Sequence, residues 1–170
     1  MRNKGFSFLE VMVVMVILSL SISLVTPSLS RFFRTVELKG AAKKVSGILR
    51  HGRSEAVNKG LVYQVFFNAD SREIGIQSME SPLVEKEEGV KKEKELSKKI
   101  YSLPEGVQIK KVEVASPQYA TDFPTIEFYP NGGSNGGSIV LDGQDRNGFQ
   151  IEVNFLTGIV KIKSAEDIKQ

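Results

Sequence analysis

The feature that most constrains this chain is an apolar run of twenty residues, Phe6–Val25, that contains a single charged side chain, Glu10. As an α-helix with a rise of about 1.5 Å per residue, the run would be about 30 Å long, which matches the hydrocarbon core of a bilayer. Because the basic residues Arg2 and Lys4 precede it, the positive-inside rule predicts a cytoplasmic N-terminus and an exported remainder. The sequence therefore predicts a transmembrane helix over residues 6–29.

Two simple interpretations of the apolar run are a secretory signal peptide and a plain membrane anchor. A secretory signal peptide would end in a small-residue cleavage site, and Thr26–Ser30 offers none. A plain single-span anchor explains the length and the orientation, but it does not explain Glu10. An ionised carboxylate within a transmembrane segment costs roughly 2.5–3.5 kcal/mol, and no basic residue lies in the same span. A cationic partner must therefore come from another chain, or Glu10 must stay protonated until one arrives. If the chain is cut after Gly5, the new α-amino group of Phe6 is a candidate about one helical turn from Glu10.

Residues Lys4–Glu10 (KGFSFLE) resemble the class III signal of type IV pilins and type II secretion pseudopilins. The resemblance implies that residues 1–5 are a cleaved leader and that Gly5 is the cleavage-site residue for a prepilin peptidase. It implies that Phe6 is the N-methylated new terminus and that Glu10 registers one subunit against the next during assembly. Pro27 falls where such pilins often carry a helix-bending proline, so a kink is expected there.

A helical pattern continues beyond the apolar run. Apolar or small residues recur at mostly three- and four-residue steps, which is typical of an amphipathic helix. These residues are Leu29, Phe33, Val36, Ala41, Val45, Ile48, Gly52 and Ala56. Residues 30–59 are therefore predicted to be an amphipathic stalk that packs on a sheet and ends at Gly60. A coiled coil is the alternative, but the stripe does not keep an a/d heptad.

The stalk is strongly basic. Residues 31–59 hold eight Arg or Lys against two Glu, and they include the single histidine, His51. The arginines and lysines are spread around the predicted helix, among them Arg31, Arg34, Lys43, Lys44, Arg50 and Arg53. We interpret them, with His51, as a solvated helix face.

Residues 60–170 change to short β-like runs separated by turn residues. The predicted strands are Leu61–Phe67, Ile74–Gln77, Ile100–Leu103, Val107–Ala115, Thr125–Tyr129, Ser138–Leu141, Phe149–Phe155 and Ile159–Lys163. A phase slip predicts a bulge near Lys110–Lys111, and Asn131–Gly137 is predicted to be a flexible loop. Residues 80–99 are interpreted as a charged, solvated insertion. Short turns between consecutive strands predict two small antiparallel sheets against the helix, an α+β fold.

The C-terminal half carries a second resemblance. Ile126–Gly133 (IEFYPNGG), Ile139–Leu141 and Gly158–Lys161 resemble the GspH/FimT domain of minor pseudopilins and minor pilins, in which an F-x-P-x-G turn leads into strands. The resemblance implies a pilin-like fold. FimT-like pilins used in DNA uptake resemble one another in a G-R-x-K motif, but here Gly158 is followed by Ile159. Residues 60–170 also hold 13 basic against 17 acidic residues, so nucleic acid is not expected as a partner.

The composition leaves few routes to catalysis. The chain has no cysteine and one histidine, which excludes disulfides, thiolate metal sites and multi-histidine metal sites. Residues 142–148 could be compared with a calcium loop, but their oxygens are few and wrongly spaced, and Asp, Asn and Gly are what a tight turn needs. We expect no catalytic residue, no metal and no cofactor. A membrane-tethered enzyme is the least favoured hypothesis.

The leading hypothesis is a structural protein, a minor pseudopilin near the tip of a type II secretion pseudopilus. It predicts a single-pass protein of the inner membrane with a periplasmic C-terminal domain. The expected partners are other pseudopilins or pilins of the same filament, the prepilin peptidase, the inner-membrane assembly platform and the lipid bilayer. The alternative is a minor pilin of a type IV pilus, FimT-like, with a role in DNA uptake.

Overall fold

A computed structural model describes residues 7–79, 98–119, 121–143 and 148–164, without the side chains of residues 23–31. Within these ranges, one long helix, α1 (Phe8–Lys59), precedes eight strands. The strands are β1 (Val62–Asn68), β2 (Glu73–Met79), β3 (Lys99–Ser102), β4 (Val107–Val114), β5 (Thr125–Phe128), β6 (Gly137–Gly143), β7 (Gly148–Val153) and β8 (Val160–Ser164). The predicted α+β class, with a long helix and an antiparallel β domain, is confirmed.

The ends of α1 follow from local sequence. The helix begins after Ser7, whose extended backbone lies at the N-cap, and it ends at Gly60. Gly60 adopts the left-handed conformation with φ of 67°, and its N–H donates a hydrogen bond to the Ala56 carbonyl oxygen at 3.0 Å. Glycine reaches this conformation without a Cβ clash, so the predicted helix stop is confirmed. Pro27 lies within α1, and the kink expected there stays a prediction.

The strands form two four-stranded antiparallel sheets. The first has the order β3-β2-β1-β5, and the second has the order β4-β6-β7-β8. The pairing of β4 with β6 shifts register between Ile109 and Lys111, which confirms the predicted bulge. The bulge keeps Ile109 buried while Lys110 and Lys111 stay exposed. Two small sheets were expected, but their strand order depends on pairings between distant segments that periodicity does not report.

The second half of α1 lies against both sheets. Its buried residues are Leu38, Ala41, Ala42, Val45, Ser46, Ile48, Leu49, Gly52 and Ala56. Burying a side chain such as Val45 or Leu49 contributes about 1.5–3 kcal/mol. Gly52 marks a close approach to the first sheet, because a Cβ there would lie 3.3 Å from both Val65 Cγ2 and Ile76 Cδ1.

The packed part of α1 is shorter than predicted. Phe33 and Val36, both assigned to the apolar stripe, are 61% and 52% exposed. Contact with the domain begins at Glu37, which lies against Gly106, and at Leu38, which packs against Gly143 at the end of β6. The part of α1 that precedes this edge projects beyond the sheets, which is why Phe33 and Val36 stay exposed.

The segment 131–137, predicted to be a flexible loop, is instead packed. Gly132, Gly133, Ser134 and Gly136 are buried. The Ser134 N–H donates to the Phe155 carbonyl oxygen at 2.9 Å, and a Cβ on Gly136 would lie 2.8 Å from Phe155 Cβ. The glycines therefore let the backbone lie directly on the turn between β7 and β8. This glycine-rich segment is packed against the domain because its residues have no side chains that would prevent the close approach.

Two other predicted segments fall largely outside the described residues. Of the charged insertion 80–99, residues 80–97 are not described, and Lys99 is the first residue of β3. Of the predicted turn 142–148, residues 144–147 are not described. The strands on either side of both segments lie where the sequence places them.

Candidate functional site

The first fifteen residues of α1 expose their apolar side chains on every face. All the large apolar residues from Phe8 to Ile22 are between 46% and 80% exposed, with Phe8 and Leu9 among the most exposed. A helix that is apolar all round belongs in a lipid or protein interior, and contiguous apolar surface of this kind marks an interaction site. This surface, residues 8–22, is the candidate functional site, and it is called the apolar helix face below.

Glu10 is the one charged residue on the apolar helix face. It is exposed in the first turn of α1, where the helix dipole stabilises a carboxylate by roughly 0.3–1 kcal/mol. The next basic residue along the chain is Arg31, 21 positions later, which is roughly 31 Å along a helix. Of the basic residues that the structure describes, none forms an ion pair with Glu10. This dipole contribution was not predicted from the sequence, although Ser7, a residue type that is common at helix N-caps, marks the start of the helix.

Two predicted site residues, Gly5 and Phe6, lie outside the described residues. The predicted membrane segment, residues 6–29, also extends over side chains that are not described. Over the part of the chain that is described, no helix is long and apolar enough to cross a membrane.

A second exposed apolar group lies between the apolar helix face and the domain. Phe32, Phe33 and Val36 are each more than half exposed, and the two phenylalanine rings meet edge-on with centroids 6.2 Å apart. Phe32 was not singled out in the sequence, because it falls off the three- and four-residue steps of the stripe. Large exposed aromatic side chains of this kind are enriched at protein interfaces.

Three basic side chains join α1 to the β domain. Lys44 Nζ donates to the Ser102 carbonyl oxygen at 3.2 Å, a guanidinium nitrogen of Arg50 donates to the Val160 carbonyl oxygen at 3.2 Å, and Arg53 Nε donates to the Gly132 carbonyl oxygen at 3.1 Å. Arg53 is half-buried, so the interpretation as a solvated face is wrong for it, whereas Lys44 and Arg50 are exposed as predicted and still make these contacts. Each accepting carbonyl belongs to a sheet edge or loop beside the helix, so the contacts fix the domain relative to α1. His51, by contrast, is exposed as predicted.

The exposed face of the second sheet carries lysines, and three of them form ion pairs. Lys110 pairs with Asp142 at 2.8 Å, Lys111 pairs with Glu113, and Lys163 pairs with Glu152 at 2.6 Å. The hydrogen bond from Lys111 lowers the pKa of Glu113, which keeps that carboxylate ionised. Binding to a phosphate backbone needs unneutralised positive charge, and these three lysines do not supply it.

Comparison with known protein families finds a sequence motif at the N-terminus. Residues 1–26 match the prokaryotic N-terminal methylation motif, and no curated protein matches the chain. The motif covers Gly5, Phe6 and Glu10, the residues singled out at the start of the chain.

Solved structures identify the fold. The chain is similar to the minor pseudopilin EpsH of the type 2 secretion system of Vibrio cholerae, with a TM-score of 0.55, 14% identity, and coverage of 75% of this chain and 97% of that chain. It is also similar to the type IV minor pilin FimU of Pseudomonas aeruginosa, with a TM-score of 0.53, 13% identity, and coverage of 80% and 98%. With a methylation motif at its start and the fold of minor pseudopilins and minor pilins after it, the chain is type IV pilin-like.

Proposed function

We propose that the chain is a structural subunit, a minor pseudopilin of a type II secretion pseudopilus. One observation carries the proposal: the apolar helix face, residues 8–22, is exposed on all sides and bears a lone carboxylate, Glu10, in its first turn. Such a surface needs an apolar surrounding and a cation from outside the chain. A filament of parallel helices, each with a free terminal amine, supplies both.

Processing would create the cation. A prepilin peptidase would cut between Gly5 and Phe6, and the α-amino group of Phe6 would be methylated while keeping its positive charge. Glycine before the cut offers the peptidase a small side chain. Before assembly, residues 6–29 would lie in the inner membrane, with the N-terminus cytoplasmic and the β domain periplasmic.

Assembly would move the helix from lipid into a core of neighbouring helices. The apolar helix face would stay in an apolar surrounding, and Glu10 would meet the Phe6 amine of a subunit shifted along the filament axis. Pairing would offset the cost of the buried carboxylate, roughly 2.5–3.5 kcal/mol in a bilayer. The exposed Phe32, Phe33 and Val36 would pack against neighbouring subunits just outside the membrane. This role is packing, and it needs no catalytic group or cofactor.

The likeness to FimU favours a second candidate, a minor pilin of a type IV pilus. The same processing and pairing would serve that filament. A role in DNA uptake would require basic residues that converge on a β face, and the ion pairs of Lys110, Lys111 and Lys163 argue against one. In a cell that has both systems, deletion of the chain separates the two candidates, because loss of secretion supports the pseudopilin and loss of pili supports the pilin.

Intact mass and N-terminal sequence of the full chain, purified from membranes of cells with a prepilin peptidase, test the proposal. We expect a mature chain that begins at methylated Phe6. A Gly5→Val variant should keep the leader in the same cells, and the wild-type chain should keep it in cells without the peptidase. A wild-type chain that retains residues 1–5 in the presence of the peptidase, or that is cut near Ser30, would contradict the proposal.

A further inference from the structure

The face of the first sheet that points away from α1 contains a fully buried carboxylate, Glu127, on β5. Its nearest polar neighbours are hydrogen-bond donors. Gln64 Nε2 and the Tyr119 N–H donate to Oε1 at 3.0 and 3.1 Å, and the Gln118 N–H and the Tyr129 hydroxyl donate to Oε2 at 2.7 and 3.1 Å. Among the described residues, no lysine, arginine or histidine pairs with Glu127. A buried charge is costly unless it is compensated, and here hydrogen bonds alone compensate it.

Two of these donors are backbone amides of the connection from β4 to β5. The part of that connection formed by residues 115–119, which we call the strap, has no helix or strand structure and exposes Ala115, Ser116 and Gln118. At one end, Asn135 Nδ2 donates to the Ala115 carbonyl oxygen at 3.2 Å. At the other end, the strap meets the sheet through Glu127, and each carboxylate oxygen accepts one strap N–H.

Both carboxyl oxygens of Glu127 act only as acceptors in this geometry, because each accepts two hydrogen bonds. Burial, then the negative charge of Glu127 and the hydrogen bond to it, raise the pKa of Tyr129 to about 12. The titratable groups beside Glu127 are Tyr129, just after β5, and Tyr119, in the strap. The side chains that β1 and β2 place beside Glu127 are the amides of Gln64 and Gln77. Gln77 Nε2 donates to Gln64 Oε1 at 2.9 Å, and this contact orients Gln64 so that its Nε2 donates to Glu127.

We propose that Glu127 is a latch that holds the strap against the first sheet while its carboxylate is ionised and releases it when the carboxylate is neutralised. The amide of a glutamine has one oxygen that accepts and an NH2 group that only donates, and a protonated carboxyl carries an O–H donor on one of its two oxygens. That donor would face one of the two strap N–H groups, whichever way the side chain turns. One of the three described hydrogen bonds that hold the strap is therefore lost, and the loosened strap uncovers Gln64 and Glu127.

Hydrogen–deuterium exchange of the full chain in detergent micelles tests the latch. The isosteric variant Glu127→Gln should raise the exchange of the Gln118 and Tyr119 amides by about tenfold or more, with little change in β1 and β7. The matched control is Glu152→Gln, which neutralises a half-buried carboxylate on β7 that pairs with Lys163. This control should leave strap exchange unchanged. In the wild-type chain, strap protection should also fall as the pH is lowered from about 7 to about 3, past the ordinary carboxyl range.

The outcomes separate a latch from a merely structural carboxylate. Equal strap protection in Glu127→Gln and wild type would overturn the latch. If Glu127→Gln exposes β1 and β7 as well, the wild-type pH series decides the question. Strap amides that lose protection before the sheet amides support the latch, and strap amides that lose protection only together with the sheet overturn it.

Discussion

Arg53 Nε donates a hydrogen bond to the Gly132 carbonyl oxygen across 3.1 Å, and this contact ties the last turns of α1 to the turn that follows β5. Gly158, in the β7–β8 connection, lies against the same carbonyl, because a Cβ there would be 2.5 Å from that oxygen. The helix, the first sheet and the second sheet therefore meet at one backbone group. The orientation of the domain on α1 depends on this junction.

Arg53→Ala should destabilise the chain by about 1.5–3 kcal/mol, the range for a hydrogen bond to a charged group. The Gly132 carbonyl would lose this donor, and the helix would lose an attachment to the β domain. Urea unfolding in mild detergent measures the change. His51→Ala is the control, because His51 is exposed on the same helix and should cost little. Equal midpoints for the two variants would show that the Arg53 contact adds nothing to stability.

Gly158→Ala should cost more than Gly60→Ala, although both glycines have positive φ, of 60° and 67°. The left-handed backbone costs an alanine about 1–2 kcal/mol at either position. At Gly60 a Cβ meets nothing within 4 Å, but at Gly158 it meets the Gly132 oxygen and, at 2.9 Å, Arg53 Nε. Overlap of this kind adds about 1–3 kcal/mol. Thermal unfolding of the two variants compares these costs directly, and equal losses would mean that the junction relaxes around the methyl group.

Periodicity in the sequence predicted much of this fold. The three- and four-residue steps located α1, Gly60 located its end, and the alternating runs located the eight strands and the bulge beside Lys111. These features depend on residues a few positions apart, so local patterns contain them. The exposure of Phe33 is not contained in a local pattern, because it depends on where the sheet ends beneath the helix.

Contacts between distant residues were the part that the sequence did not reveal. Gln64 and Glu127 are 63 positions apart, and Arg50 and Val160 are 110 apart, so no local pattern joins them. A charged residue is predicted to be exposed unless its partners are known, which is why the half-buried Arg53 was assigned to a solvated face. At the candidate site the reverse holds. Glu10 could be singled out because a lone charge in an apolar run is visible within a few residues.

Alkaline titration should show a tyrosine step near pH 12 that Tyr129→Phe removes. Burial and the adjacent Glu127 carboxylate raise the pKa of Tyr129 from 10.0 to about 12. The folded chain therefore keeps a proton that the unfolded chain loses, and the free energy of unfolding should fall as the pH rises from 10 to about 12. Below pH 10 this contribution is fully present. Tyrosinate absorbance measures the step, and circular dichroism confirms that the chain is still folded.

The control for this titration is Tyr101→Phe, at a half-buried tyrosine on β3. It should leave the step near pH 12 in place. A step that survives in Tyr129→Phe would assign the raised pKa to another group.

Glu10→Gln should block filament assembly without blocking membrane insertion or processing. The amide keeps the size of the side chain but removes the charge that would attract the Phe6 amine of a neighbouring subunit. Pairing with the amine is expected to offset most of the roughly 2.5–3.5 kcal/mol that the buried carboxylate costs. Loss of this pairing should lower the fraction of the chain recovered in sheared filaments by about tenfold or more. Immunoblots of membrane and filament fractions measure the ratio, and mass spectrometry of the membrane form checks the cut after Gly5.

Met12→Leu, an apolar exchange on the same helix face, should assemble like the wild type. A Glu10→Gln chain that enters filaments at the wild-type level would show that the carboxylate does not register the subunits, and the exposed apolar side chains would then have to direct assembly alone.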